Sequence, residues 1–123
     1  EGVSYSLRSC LEVIQEVGIS VSDMALCGGG GKSAFWQQML TDIYNVPIHT
    51  MVSDEGAALG AAILAGCCAG VFDSVEAGCE QIVKKKAVTT PNADNHNTYM
   101  QYYAIYNALY CALKGNFENL ANM

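Results

Sequence analysis

The sequence predicts an α/β fold in which the strands pair in parallel. Two short apolar segments, 24–27 and 47–51, have the length of buried strands, and helical periodicity precedes the first and follows each of them. An order of helix, strand, helix, strand, helix favours parallel pairing with helices covering the sheet. Because a sheet of two strands leaves both edges unpaired, we expect further strands upstream to complete it.

The first two helices are predicted from apolar residues that recur at three- and four-residue steps. One helix covers residues 1–17 and stops at Gly18, a residue type that is common at helix ends. The second follows the first strand over residues 33–44, and Pro47 lies just beyond its end. Both patterns are typical of amphipathic helices with one apolar face.

The third helix is predicted over residues 56–66, after a cap at Ser53 and Asp54 and with Glu55 in its first turn. Its residues are small and apolar on every side. Such a surface packs closely against a sheet and another helix, so we expect a buried scaffold helix.

Two further helices complete the predicted order. The fourth runs over residues 75–85 after a cap at Ser74, and the three lysines at its end are expected to complement the helix dipole. A turn-rich stretch, 89–95, separates it from a fifth helix that carries tyrosines at helical spacing. We expect this aromatic stripe to serve packing. The tyrosines are Tyr99, Tyr102, Tyr103, Tyr106 and Tyr110.

Composition excludes several classes of function. The 123 residues have a formal net charge of −6 and only six Lys and Arg, which argues against a nucleic-acid surface. The apolar segment 57–69 is too short and too rich in Gly and Ala to span a membrane. Six cysteines contain no C-x-x-C pair, and neither histidine lies at zinc-ligand spacing. We therefore expect reduced core cysteines in a cytoplasmic protein.

The most informative motif joins the first strand to the second helix. It consists of Gly28, Gly29, Gly30 and Gly31, followed by Lys32 and Ser33. A strand, a glycine turn and a helix start let a polyphosphate approach the backbone, because glycines lack Cβ atoms. The motif is not a Walker A loop, which would need glycine where Leu26 stands, and it lacks the Rossmann glycine order. The alternative is a tight turn that exists only for packing.

Taken with the segments that follow, the glycine motif resembles the C-terminal half of the FGGY carbohydrate kinases. The resemblance is carried by residues 28–33, 35–42, 46–48 and 55–62, and it covers essentially the whole chain. Within the family, the tail from residue 70 onward is most similar to the members that act on xylulose. Gluconate, glycerol or a related polyol remains the alternative substrate.

The resemblance implies an actin-like, ribonuclease-H-like ATPase fold, with residues 1–123 as a C-terminal ATP-binding domain and an incomplete sheet. ATP and Mg²⁺ are the implied cofactors, and the implied nucleotide-binding residues are the six of the glycine motif. By similarity, the backbone at Gly29 and Gly30 lies against the phosphates, so Gly30→Val should lose nucleotide affinity. Ser33 stands where relatives often have Asn near the nucleotide, and Lys32 stands where Lys or Arg is common.

The implied reaction is in-line transfer of the ATP γ-phosphoryl group to a sugar hydroxyl, helped by an Asp base. In the family that base and the sugar pocket lie in an N-terminal domain. No Asp of this sequence lies in a matching segment, so we expect the chain alone to be inactive and its exposed strand edge to favour homo-oligomers. An actin-like activator ATPase and a non-catalytic scaffold are the alternatives. The five Asp residues are Asp23, Asp42, Asp54, Asp73 and Asp94.

Overall fold

A computed structural model describes residues 1–53 and 55–123. Asp54, one of the two predicted cap residues, lies outside the described residues. A four-residue 3₁₀ helix, Gly29–Lys32, connects β1 to α2. The other elements, in chain order, are α1 (Gly2–Glu16), β1 (Met24–Leu26), α2 (Ala34–Tyr44), β2 (Ile48–Met51), α3 (Gly56–Cys68), α4 (Val75–Ile82), β3 (Lys85–Thr89) and α5 (Ala93–Ala121).

The described strands form one sheet in the order β1, β2, β3. β1 and β2 are parallel, with Met24 opposite Ile48, as the element order predicted. β3 runs antiparallel to β2, with Ile48 opposite Thr89, and the register shifts between Thr50 and Met51. The prediction of two strands in this chain is therefore wrong, because a third strand closes one side of β2.

The third strand begins at Lys85, where the fourth helix was predicted to end. α4 stops at Ile82, and the lysine run is divided between two roles. Lys84 Nζ donates to the carbonyl of Glu80 in the last turn of α4, as a helix-end cation is expected to do. Lys85 and Lys86 instead begin β3, whose pairing with β2 outweighs the helical preference of lysine.

The core lies where α1, α2 and α5 meet. Tyr5 from α1 contacts the rings of Tyr99, Tyr103 and Tyr106 from α5, with ring centroids 5.5 to 6.5 Å apart. Packing is thus confirmed as the role of these tyrosines, whereas Tyr102 and Tyr110 are exposed. Largely apolar side chains surround this cluster, including Leu11, Met39, Leu40, Ile43 and Val46.

α1 also stabilises the end of α2. Arg8 Nη1 donates to the carbonyls of Ile43 and Tyr44, at 2.8 and 3.0 Å. These carbonyls belong to the last turn of α2, where no further helical N–H is available to them. Asn45 then ends the helix in the left-handed conformation, with a φ of 56°, before the chain enters β2.

α3 is not the buried helix that its composition predicted. Ile63 is its single buried residue, and it packs beside Gly78 of α4. The described neighbours cover one side of α3, so the rest of its apolar surface is exposed. No helix in the described part of the chain is long and apolar enough to cross a membrane.

The expectation of core cysteines is also wrong. All six cysteines are free, but two are half-buried and four are exposed. Burial was expected because most of them lie within helical patterns, yet in α1, α3 and α5 they fall outside the packed faces. The exposed residues are Cys10, Cys27, Cys68 and Cys111, and the half-buried residues are Cys67 and Cys79.

Candidate functional site

Residues 28–33, called the glycine turn below, follow β1 directly. Gly28 has a φ of +88°, which L side chains rarely adopt, and redirects the chain out of the strand. The turn is closed by two hydrogen bonds, from Gly31 N to Gly28 O at 3.0 Å and from Ser33 N to Gly30 O at 3.1 Å. The predicted strand, turn and helix start are therefore present, with one 3₁₀ turn before α2.

Three of the four glycines are explained by the chain's own structure. Gly28 supplies the positive φ. A Cβ on Gly30 would lie 2.2 Å from Cζ3 of Trp36, and a Cβ on Gly31 would lie 3.3 Å from Cγ of Leu26. Each of these positions therefore has a conformational or packing reason to be glycine.

Gly29 has no such reason. Its φ is not in the positive range, it is exposed, and no described atom lies within 4 Å of the Cβ that another residue would place there. A Cβ at Gly29 would therefore meet open space. The open face at this residue is therefore the part of the turn where a ligand can approach the backbone.

The geometry at Gly30 changes what the expected loss of affinity in Gly30→Val would show. Its φ is not positive, and the space that a valine at this position would occupy is already filled by the Trp36 ring. Loss of affinity in Gly30→Val would thus report a displaced indole as well as any clash with a phosphate. A substitution at Gly29 tests the contact with a ligand without displacing Trp36.

Ser33 begins α2 as its N-cap. Its Oγ accepts a hydrogen bond from Trp36 N at 3.3 Å, which satisfies one of the free donors at the start of the helix. One turn further along, Gln37 Nε2 donates to the carbonyl of Gly31. The first turn of α2 therefore holds the glycine turn through two hydrogen bonds. The backbone N–H of Trp36 binds Ser33, and the side chain of Gln37 binds the carbonyl of Gly31.

Lys32 lies beside a cavity of about 260 Å³ that opens between the glycine turn, the end of β2 and the start of β3. Lys86 lines the same cavity from β3. Two lysines lining one cavity favour an anion. The remaining lining residues are Gly31, Gln37, Thr50, Met51 and Val52.

Lys86 and Gln37 are residues of this site that the sequence reasoning missed. Lys85 and Lys86 alternate across β3, and Lys85 is already paired: its Nζ lies 3.0 Å from Oδ2 of Asp23. That hydrogen bond, with the lysine charge, lowers the pKa of Asp23, and His49 Nε2 lies 3.6 Å from the same oxygen. Lys86 could have been found from the alternation of side chains along a strand, which places Lys85 and Lys86 on opposite faces. This alternation is visible only once residues 85–89 are assigned to a strand.

The model of the FGGY family of carbohydrate kinases, C-terminal domain, matches residues 1–69. The chain belongs to this family. It is also 40% identical to the xylulose kinase of Staphylococcus epidermidis over 110 residues, which are 89% of the chain and 22% of that kinase. It therefore spans about a fifth of the length of this FGGY relative.

Solved structures of FGGY kinases show the fold. The structure is similar to that of ligand-bound xylulose kinase from Lactobacillus acidophilus, with a TM-score of 0.87 over 96% of the chain and 24% of that protein. Gluconate kinase from the same organism gives a TM-score of 0.86 over the same shares, and both are 24% identical to the chain. The α/β elements thus form the C-terminal part of an actin-like ATPase fold with an incomplete sheet, as the resemblance implied.

Proposed function

We propose that this FGGY chain is the ATP-binding C-terminal part of a cytoplasmic sugar kinase that phosphorylates D-xylulose. The observation that carries the proposal is the open face at Gly29, the one glycine of the motif that neither backbone conformation nor packing explains. A nucleotide phosphate can reach the backbone there without meeting a Cβ. The nucleotide-binding residues are Gly28, Gly29, Gly30, Gly31, Lys32 and Ser33.

The six residues have different proposed roles in nucleotide binding. The backbone at Gly29 and Gly30 contacts the phosphates, and the ammonium group of Lys32 favours their negative charge. Gly28 and Gly31 set the path of the turn, and Ser33 fixes its junction with α2 through the cap to Trp36 N. With this division of roles, the turn can accept an anion in a chain whose net charge is −6.

Mg²⁺ belongs to the same proposal and supplies charge neutralisation on the transferred phosphoryl group. In residues 1–53 and 55–123, no three His, Cys, Asp or Glu side chains come together as metal ligands. This fits an ion that is held largely by water and substrate phosphates with one or two carboxylates, as Mg²⁺ commonly is.

Two of the aspartates, Asp42 and Asp23, are already hydrogen-bonded or paired within the chain and are poor candidates for the base that accepts the sugar proton. Asp42 is 1% exposed and both of its carboxylate oxygens accept hydrogen bonds. Asp23 is paired with Lys85. In line with the family resemblance, we propose that an N-terminal domain provides the base and the sugar pocket, and that the chain alone is inactive.

Three alternatives stand beside this proposal. Gluconate or another polyol is the runner-up substrate, and the fold similarity to gluconate kinase supports keeping it. A scaffold without activity is the second alternative. An actin-like activator ATPase is disfavoured, because the described cysteines form no cluster that could ligate an iron–sulfur centre.

The experiment measures sugar-dependent ADP formation by the complete kinase polypeptide with D-xylulose, gluconate and glycerol in parallel. We expect the highest kcat/KM with D-xylulose. A higher kcat/KM with gluconate would overturn D-xylulose as the proposed substrate and leave the proposed kinase activity in place. Absence of turnover with every sugar, in a folded protein that binds ATP, would favour the scaffold.

A further inference from the structure

Trp36 lies between the core and the glycine turn. Its indole ring is half-buried against the cluster formed by α1, α2 and α5, and its Cζ3, Cε3 and Cη2 atoms face the Cα of Gly30. Gly30 itself is exposed. One side of this glycine therefore rests on the ring while the other faces the surface at which a nucleotide is proposed to bind.

The orientation of the ring is fixed from α1. Trp36 Nε1 donates to Oγ of Ser4 at 3.2 Å, although the two residues are 32 positions apart. Ser4 is fully buried, and its Oγ donates in turn to Sδ of Met39 at 3.6 Å. A buried hydroxyl with one donor and one acceptor partner holds the indole in a single orientation.

The contact with Gly30 has little room to vary. A Cβ there would lie 2.2 Å from Cζ3 of the ring. The Cα of Gly30 therefore lies against the six-membered ring of the indole, with no space for a methyl group. Rotation of the ring would leave the backbone at Gly30 unsupported. Closely packed groups transmit such shifts instead of absorbing them.

From these contacts we propose that Trp36, oriented by Ser4, is a positioning residue that sets the backbone of Gly29 and Gly30 for the nucleotide phosphates. The inference rests on the proposed function of the glycine turn and adds two residues outside the motif. Neither residue touches the phosphates. They act through the position of the Gly30 backbone, in the way that supporting residues hold a binding group in its productive geometry.

The test compares Ser4→Ala, Trp36→Phe and the double variant in the complete kinase polypeptide. Trp36→Phe keeps an aromatic ring near Gly30 but removes the N–H, and Ser4→Ala removes the acceptor. Each single change should raise the Kd for a non-hydrolysable ATP analogue by about three- to tenfold, the range for one lost hydrogen bond. Because both changes remove the same interaction, the double variant should show clearly less than the product of the two single effects.

Ser9→Ala is the matched control. Ser9 is also a serine of α1 whose hydroxyl contacts an aromatic side chain, Tyr103 of α5, at 2.9 Å, but it lies away from the glycine turn. It should lower the thermal midpoint to a similar extent and leave the Kd for the analogue unchanged. The KM for the sugar should stay unchanged in all variants.

Three results are distinguishable. If the unaltered protein binds no nucleotide, the proposed function fails. If it binds the analogue and Ser4→Ala and Trp36→Phe keep its affinity, the positioning role is wrong and the function of the turn stands. If the Ser9 control loses affinity equally, or sugar KM rises in proportion, the contacts serve general stability and the inference is overturned.

Discussion

The carboxylate of Asp42 in α2 accepts a hydrogen bond from the backbone N–H of Asn92, the residue that caps α5, at 2.8 Å. Asn95 Nδ2 donates to the other carboxylate oxygen at 2.9 Å, and His96 Nδ1 lies 2.8 Å from the Asp42 carbonyl. Gln38 Nε2 completes the set at 2.7 Å. One buried aspartate thus joins α2 to the start of the longest helix.

Asp42→Ala should lower the free energy of unfolding by about 2–4 kcal/mol, because it leaves buried donors without an acceptor. Asp42→Asn keeps one acceptor oxygen and should cost less. Asp73→Ala, at an exposed aspartate, serves as the control and should have little effect. Equilibrium urea unfolding gives the three values. A stability unchanged by Asp42→Ala would show that the tie between the helices is not formed in solution.

The hydrogen bonds between Asp42 and the start of α5 were not predictable from sequence, because they join residues 50 or more positions apart. α2 was predictable because the apolar residues that define its pattern, such as Leu40 and Ile43, are the ones that the structure buries. α1 was predicted as a helix, but most of its periodic apolar residues are exposed, and Tyr5 and Leu11 form its buried face. The two apolar strands were predictable from their length and their flanking helical patterns. β3 was missed because a lysine run resembles a helix end until its partner strand is known. The separate roles of the four glycines depend on Trp36 and Leu26 lying close in space, which local sequence does not show.

Tyr44, which is 6% exposed, should make stability depend on alkaline pH. Burial, with a smaller contribution from Cys10, raises its pKa from 10.0 to about 12. The raised pKa means that the protonated phenol is favoured in the folded state. Its contribution is fully present below the unfolded pKa and is lost as pH rises towards 12. Unfolding midpoints from pH 8 to 12 should therefore fall less steeply for Tyr44→Phe than for the unaltered protein. Equal slopes would contradict the assignment.

A polypeptide of residues 1–123 should self-associate. β1 has one unpaired edge among the described strands, and α3 and α5 expose large apolar side chains such as Leu64, Leu109 and Phe117. Unpaired edges and apolar patches favour association. Sedimentation velocity over a wide concentration range should show a rising mean mass. A folded monomer at every concentration would mean that these surfaces do not drive assembly.

Gly29→Val in the complete kinase polypeptide tests most directly whether the glycine turn binds the nucleotide. The Cβ of a residue at Gly29 meets no described atom within 4 Å, so the variant should fold normally while its methyl groups occupy the space proposed for a phosphate. Gly115→Ala is the control, since a Cβ there also meets open space but lies in α5, far along the chain from the turn.

Calorimetry with a non-hydrolysable ATP analogue and, separately, with D-xylulose is the deciding measurement. For Gly29→Val we expect nucleotide affinity to fall tenfold or more, about 1.4 kcal/mol, with sugar affinity and thermal midpoint retained. The Gly115 control should bind both ligands as the unaltered protein does. A folded Gly29→Val protein with unchanged nucleotide affinity would show that the glycine turn does not bind the nucleotide and is a packing feature alone.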